Sequence, residues 1–245
     1  FRNYTSRNSI ICIRKNAMNS IRIAMWSGPR CISTAMMRSF ENRNDTIVID
    51  EPFYAHYLTM VGMEHPMRNE IINNYEGNSE NIISYLTGQV PGQKDIWYQK
   101  HMVHHLSSKM DYNWIKALTN CFLIRNPKEV ILSFQKQFPI KSIEQLGYNQ
   151  LFKLFKFHVE HLGFIPPIID SRDVLENPEE ILSTLCVKIG ITFSKHMLSW
   201  PDGGRDSDGI WGKYWYKNVE QSTGFQRYNS VDINFPSHLE ELYKE

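Results

Sequence analysis

The chain has 245 residues, 42% of them hydrophobic and 22% charged, which is enough apolar material for a full core. Its 27 basic and 26 acidic residues leave a formal charge of +1, excluding the broad positive field used on nucleic acid or anionic membrane, so any anion site must be local. No apolar run reaches the roughly 18 residues that cross a bilayer. Cys12, Cys31, Cys121 and Cys186 are scattered without C-x-x-C spacing, and together these features predict a soluble, cytoplasmic protein with reduced thiols.

Residues 1–17 carry Arg2, Arg7, Arg14 and Lys15 with Ser and Asn and no acid, and read as a disordered tail or an upstream extension. Residues 18–245 are then expected to form a single domain. Ile21, Ile23 and Met25 alternate as in a strand, Ser27-Gly28-Pro29 interrupts it, and Ile32, Met36 and Phe40 recur at helical spacing. Residues 30–34 therefore form the turn and the helix start. Unpaired N–H groups and the positive end of the peptide dipole gather there, joined by Arg30 and the hydroxyls of Ser33 and Thr34. Such a turn binds phosphate or a similar oxyanion. The ATPase loop G-x-x-x-x-G-K-[ST] is not present, since no second Gly and no Lys precede Ser33-Thr34.

Thr46-Ile-Val-Ile-Asp50 has the β-branched run of a buried parallel strand, and its carboxyl end carries Asp50 and Glu51 before Pro52. Residues 53–92, with Phe53, Tyr54, Tyr57 and Tyr85, read as short helices and loops that either line an acceptor pocket or cover a sheet edge. The next strand spans residues 95–100 and ends at Lys100, followed by His101, His104 and His105. A metal site is not expected, because adjacent His104 and His105 point apart and no acid or Cys is spaced to complete a closed site.

Residues 120–125 form a fourth strand ending in Arg125. Asn126-Pro127 caps the following helix, with Ser133 two turns along it. Residues 149–162 predict an amphipathic helix burying Leu151, Phe152, Phe155 and Val159. A fifth strand over 165–171 ends at Ser171, and Asn177-Pro178 opens a helix ending near Gly190. Residues 200–225 are rich in Gly and Trp. Strands alternating with helices give an α/β class: a three-layer open sheet, mainly parallel, with a phosphate-binding loop. Arg30, Glu51, Lys100, Arg125 and Ser171 all fall at the carboxyl ends of strands, where such sheets bind ligands.

These stretches resemble the motifs of sulfotransferases that use 3′-phosphoadenosine 5′-phosphosulfate (PAPS). Pro29-Arg30-Cys31-Ile32-Ser33-Thr34 is similar to their P-[KR]-S-G-[ST]-T loop, with Ile32 in place of the usual Gly. Arg125 and Ser133, eight residues apart around Arg-Asn-Pro, resemble the pair that holds the 3′-phosphate. Ser171-Arg172-Asp173 stands where the family has Y-E-D, so its adenine-packing Tyr is absent. Arg205, Gly209 and Trp211 resemble the R-K-G-x-x-G-x-W segment that closes over the cofactor, one residue short and with Asp206 replacing Lys.

The resemblance implies transfer of a sulfuryl group from PAPS to a hydroxyl or amine of a small-molecule or carbohydrate acceptor, leaving adenosine 3′,5′-bisphosphate and using no metal. Arg30, Cys31, Ile32, Ser33 and Thr34 would hold the 5′ side, with Arg30 and Lys100 facing the moving group. The base is Glu51, as in family members with a Glu after the second strand, or a His such as His104, as in members with a K-x-H strand end; here that third position is Met102. A non-catalytic nucleotide-binding protein, a partner-recognition scaffold and a P-loop kinase-like phosphotransferase remain the alternatives.

Overall fold

The computed structural model describes residues 20–62, 66–137, 139–140, 142–229, 235–236 and 239–240. The 1–17 segment and Cys12 lie outside them. Five parallel strands form one sheet in the order β2-β3-β1-β4-β5. They are β1 (Ile21–Ser27), β2 (Thr46–Asp50), β3 (Ile96–Met102), β4 (Thr119–Ile124) and β5 (Ile168–Asp170). The helices are α1 (Ser33–Glu41), α2 (Tyr54–Val61), α3 (Arg68–Asn74), α4 (Ser79–Thr87), α5 (Pro127–Gln135), α6 (Tyr148–Leu162), α7 (Ser171–Glu176), α8 (Pro178–Lys188), α9 (Gly212–Trp215) and α10 (Lys217–Glu220).

Strand alternation builds the three layers. Ile23 and Met25 of β1 point to one face and pack with Met36, Met37 and Phe40 of α1, Val130 and Ile131 of α5, and Leu182 and Leu185 of α8. Ala24 and Trp26 point the other way, onto Ile82 and Leu86 of α4 and Leu151 and Leu154 of α6. Because both faces are covered, β3 is buried along its whole length, including its polar residues Gln99, Lys100 and His101. A third cluster, Tyr54, Ala55, Leu58, Ile71, Trp211 and Tyr216, brings α2 and α3 together with the C-terminal segment.

Apart from one-residue shifts at the start of β3, at both ends of β4 and at the start of α6, sequence and structure differ in three places, each for a local reason. β5 begins at Ile168 rather than residue 165, since Pro166 and Pro167 have no N–H for the ladder, and it ends where Asp170 caps α7 at Ser171. The α6 stripe is Leu151, Leu154 and His158, while Phe152, a step of about 100° around the helix, is 67% exposed. β3 runs two residues past Lys100, so Lys100 lies inside the strand, directly opposite Asp50 of β2.

The connection from β1 leaves toward β2 on one side, and β4 pairs with β1 on the other, so the loop after β1 sits at the switch point where open sheets bind ligands. Gly28 keeps that loop close to its neighbours. A Cβ on Gly28 would stand 2.7 Å from the Leu146 carbonyl oxygen. Gly28→Ala is therefore expected to destabilise the protein by about 1–3 kcal/mol, as overpacked cores do. Denaturant unfolding checks this; an unchanged midpoint would show that the 143–146 turn yields freely.

Candidate active site

The loop after β1 turns through the left-handed region at Arg30 (φ 64) and again at Ile32 (φ 55). A β-branched residue there is a steric outlier, and it marks the position where the resembled motif has Gly. Packing of the Ile32 side chain against the α1-side core holds it in place. Ile32 is the N-cap of α1 and makes no side-chain cap, and the first turn contains no acid. The opening N–H groups of α1 thus lack a side-chain cap and have no acid beside them, at the positive end of the helix dipole.

Around this loop the structure brings together residues that the sequence separates. Arg30 Nε donates to Ser133 Oγ of α5 at 2.9 Å and Nη1 to Gln137 at 3.3 Å. Arg125 donates from Nη1 to the Arg30 carbonyl at 2.8 Å and from Nε to Glu129 at 2.9 Å. Burial, and then the Arg125 charge beside it, lowers the pKa of Arg30 from its ordinary value, and an anion bound between the two guanidiniums would relieve that repulsion. Burial pushes the Cys31 thiol up to about 12, which keeps it a neutral thiol packed in the loop.

Arg30, Ser33, Thr34 and Arg125 line a cavity of 590 Å³ whose other wall is Glu51, Tyr54, Tyr57, His104, His105 and residues 214–219. Glu51 leaves β2 in a left-handed conformation (φ 43) immediately before Pro52, a costly backbone held by bonds to the Lys100 carbonyl and from Tyr54 N–H. Its carboxylate pairs with Lys100 rather than with Arg30. Lys100 Nζ is 2.6 Å from Glu51 Oε1, 2.8 Å from Asp50 Oδ1 and 2.5 Å from the Tyr216 hydroxyl, so its three N–H bonds are all engaged. Burial raises the Glu51 pKa, opposed by the Lys100 charge and reinforced by Asp50.

The chain turns sharply after β3, in a short helical turn over Val103–His105 that puts His104 and His105 on the cavity wall. His105 stacks on Tyr54 at 4.5 Å and on Tyr57 at 4.8 Å, with Nδ1 3.9 Å from Glu51 Oε2. His101 is a core residue, stacked 4.2 Å from Trp26 and bonded to Gln99.

Other sequence candidates lie away from this cavity. Ser171 is buried at the start of α7 and its hydroxyl has no hydrogen-bond partner among the described residues. The Arg205 guanidinium donates to the carbonyls of Pro201, Asp202 and Gly204 and approaches Glu41 at 3.8 Å. Gly209 donates its N–H to Asp50 Oδ2 at 3.1 Å, and its missing Cβ makes room for the Trp211 ring. Trp211 is 1% exposed and donates to Tyr216. Of these three residues Gly209 fastens the C-terminal segment to the end of β2, while Arg205 and Trp211 bond within the segment itself. Sequence reasoning gave no role to Tyr216, although it falls in the Gly- and Trp-rich stretch, and left Asp50 as one of two acids at a strand end.

Residues 21–232 match the family described as a sulfotransferase domain. The chain belongs to that family. Two curated relatives from Arabidopsis thaliana are named branched-chain-amino-acid aminotransferase-like proteins 1 and 2. They are 35% and 32% identical to this sulfotransferase domain over 90% and 87% of its chain. The chain spans only 39% and 38% of their lengths. Among solved structures, the sulfotransferase domain from the curacin biosynthetic pathway covers 92% of this chain and 96% of its own, with TM-score 0.55 and 13% identity. The sulfotransferase domain of the Synechococcus PCC 7002 olefin synthase covers 92% and 94%, with TM-score 0.53 and 14% identity. These likenesses establish a shared fold.

Burial holds His101 at about 3 and His104 at about 4, against an ordinary 6.5, so both are neutral at neutral pH. The unfolded chain binds protons below about pH 6.5 that the folded chain refuses, so stability is lost as pH falls from there toward the two folded values. Thermal melts are expected to show a midpoint that declines between about pH 7 and pH 4, with a shallower decline in His104→Gln. Equal slopes for the two proteins would remove His104 from this account.

Proposed function

We propose that this chain transfers a sulfuryl group from PAPS to a hydroxyl or amine acceptor. The observation that carries the reading is the convergence of Arg30, Arg125 and the uncapped start of α1 on one cavity that the Glu51 carboxylate also lines. In-line transfer forms a bond from the acceptor oxygen or nitrogen to sulfur, breaks the bond from sulfur to the 5′-phosphate oxygen, and releases adenosine 3′,5′-bisphosphate. Negative charge grows on the departing phosphate, where fixed cations and helix-start N–H groups lower the barrier.

Glu51 is the proposed base. Lys100 occupies Oε1, which leaves Oε2 as the oxygen to take the acceptor's proton, and the raised pKa suits a base more than an ordinary carboxylate would. His104 is the weaker candidate, since burial at about 4 makes it a poor proton acceptor. Lys100 has no N–H to spare for the sulfuryl group, so its part is to hold Glu51. Arg125 and Ser133 are assigned to the 3′-phosphate, with Ser133 exchanging its present bond from Arg30 for the ligand.

Thermal stabilisation by adenosine 3′,5′-bisphosphate, compared with AMP and ATP, tests the donor. A selective shift is expected; equal shifts favour a general nucleotide binder, and ATP turnover favours phosphoryl transfer. Arg125→Ala should weaken bisphosphate binding by about 1.5–3 kcal/mol while changing AMP binding little, because a charge-assisted contact is lost. Glu51→Gln should abolish transfer yet retain bisphosphate binding, and His104→Ala should cost less. An active Glu51→Gln beside a dead His104→Ala reverses the choice of base.

A further inference from the structure

The cluster behind Glu51 contains a group that neither the family motifs nor the proposed chemistry uses. Tyr216 lies 116 residues from Lys100 and 166 from Asp50, yet its hydroxyl stands at the centre of their contacts. It accepts from Lys100 Nζ at 2.5 Å and from Trp211 Nε1 at 3.2 Å, and donates its one hydrogen to Asp50, whose oxygens stand 2.7 and 2.9 Å away, with Glu51 Oε1 farther off at 3.3 Å. A phenol has one hydrogen and two lone pairs, so this one is saturated. It has no site left for a proton from a substrate. The ring is 4% exposed, and Lys100 passes over its face at 4.7 Å.

We propose that Tyr216 is a positioning residue, which satisfies Asp50 and so leaves Lys100 to fix Glu51 Oε1 and present Oε2 to the acceptor. The inference rests on Glu51 being the base, and extends that reading to a residue on the C-terminal segment. Two carboxylates share one ammonium in a buried place, where charge is costly unless each oxygen is hydrogen-bonded. Asp50 receives three partners that meet this need: Lys100, Tyr216 and the N–H of Gly209.

The groups that face Glu51 are Asp50 from β2, Lys100 from β3, His105 from the turn after β3, Tyr54 from α2 and Tyr216 from the C-terminal segment. Deleting the hydroxyl removes the donor from Asp50 and the 3.3 Å contact to Glu51 Oε1, and draws Lys100 toward Asp50. Glu51 then loses part of its counter-charge and holds a proton to a higher pH.

The test uses the full chain with Tyr216→Phe, which removes one oxygen and keeps the ring. Carboxyl carbon-13 NMR titration, assigned with Glu51→Gln and Asp50→Asn, reads the Glu51 midpoint without any need for turnover. The midpoint is expected to rise by about half a pH unit or more in Tyr216→Phe, the size that one hydrogen bond confers. Adenosine 3′,5′-bisphosphate affinity, measured by calorimetry, should stay within about twofold, because the donor groups are elsewhere. An unmoved midpoint, or movement of Asp50 alone, overturns the proposal and leaves Tyr216 a packing residue. If Tyr216→Phe does not fold, 3-fluorotyrosine placed at position 216 keeps the ring and makes its hydroxyl a stronger donor. The Glu51 midpoint should then fall, and an unchanged midpoint again overturns the proposal. Failure of the unaltered protein to bind the bisphosphate counts against the donor reading instead, since the titration tests the cluster independently.

Discussion

A buried ammonium imposes the strictest condition on this molecule. Lys100 is 1% exposed, and a cation removed from water costs several kcal/mol unless carboxylates and hydrogen-bond acceptors surround it. Three partners meet that condition, and they come from two distant parts of the chain: Asp50 and Glu51 from the end of β2, and Tyr216 from the C-terminal segment. The register that sets Asp50 opposite Lys100 belongs to the sheet, but the sheet alone leaves one ammonium hydrogen unmatched. Closing the cluster therefore requires residues 209–216 to return across the carboxyl ends of the strands, and that return supplies the wall formed by residues 214–219.

A second buried cation fastens the same segment from the other side. Arg38 of α1 is 1% exposed and pairs with Asp208 at 2.6 Å and Glu41 at 3.4 Å, while Ser207 donates to Glu41. Asp208 also accepts from the backbone N–H of Arg205. The loop before Trp211 is thus pinned to the helix that follows the Arg30 turn. One helix carries the proposed donor site at its start and anchors the C-terminal segment near its end. Breaking either buried pair would leave an uncompensated charge, so the two halves of the cavity are held in place by the same physical necessity.

The site divides electrostatically along the cavity. Two guanidiniums and a helix start stand on one side, with Arg30 and Arg125 close enough to disfavour each other's charge in the absence of an anion. The rest of the lining holds aromatic rings and histidines around the Glu51 carboxylate, with Lys100 and Lys217 among them. The fold supplies this division because β1 and β2 end on either side of β3 and deliver their loops to opposite walls.

Much of this was legible in the sequence because it depends on neighbours in the chain. Alternation in β1, the break at Ser27-Gly28-Pro29, the cap at Asn126-Pro127 and the acids after β2 are local signals, and each element they predicted is present to within a few residues. The placement of Arg30, Glu51 and Arg125 just after strands was legible for the same reason, since a strand's carboxyl end can be read from the strand. Tertiary structure alone decided the partners. No local pattern shows that Lys100 binds Glu51 rather than leaving Arg30 to do so, that Arg30 reaches Ser133, or that Arg205 turns away toward backbone carbonyls. Tyr216 carried no signal at all, because a phenol's role is set by what meets its oxygen, and here those partners lie more than a hundred residues away in sequence. Chain-local sterics and periodicity specify elements; the need to match every buried charge and hydrogen bond specifies which of their ends must meet.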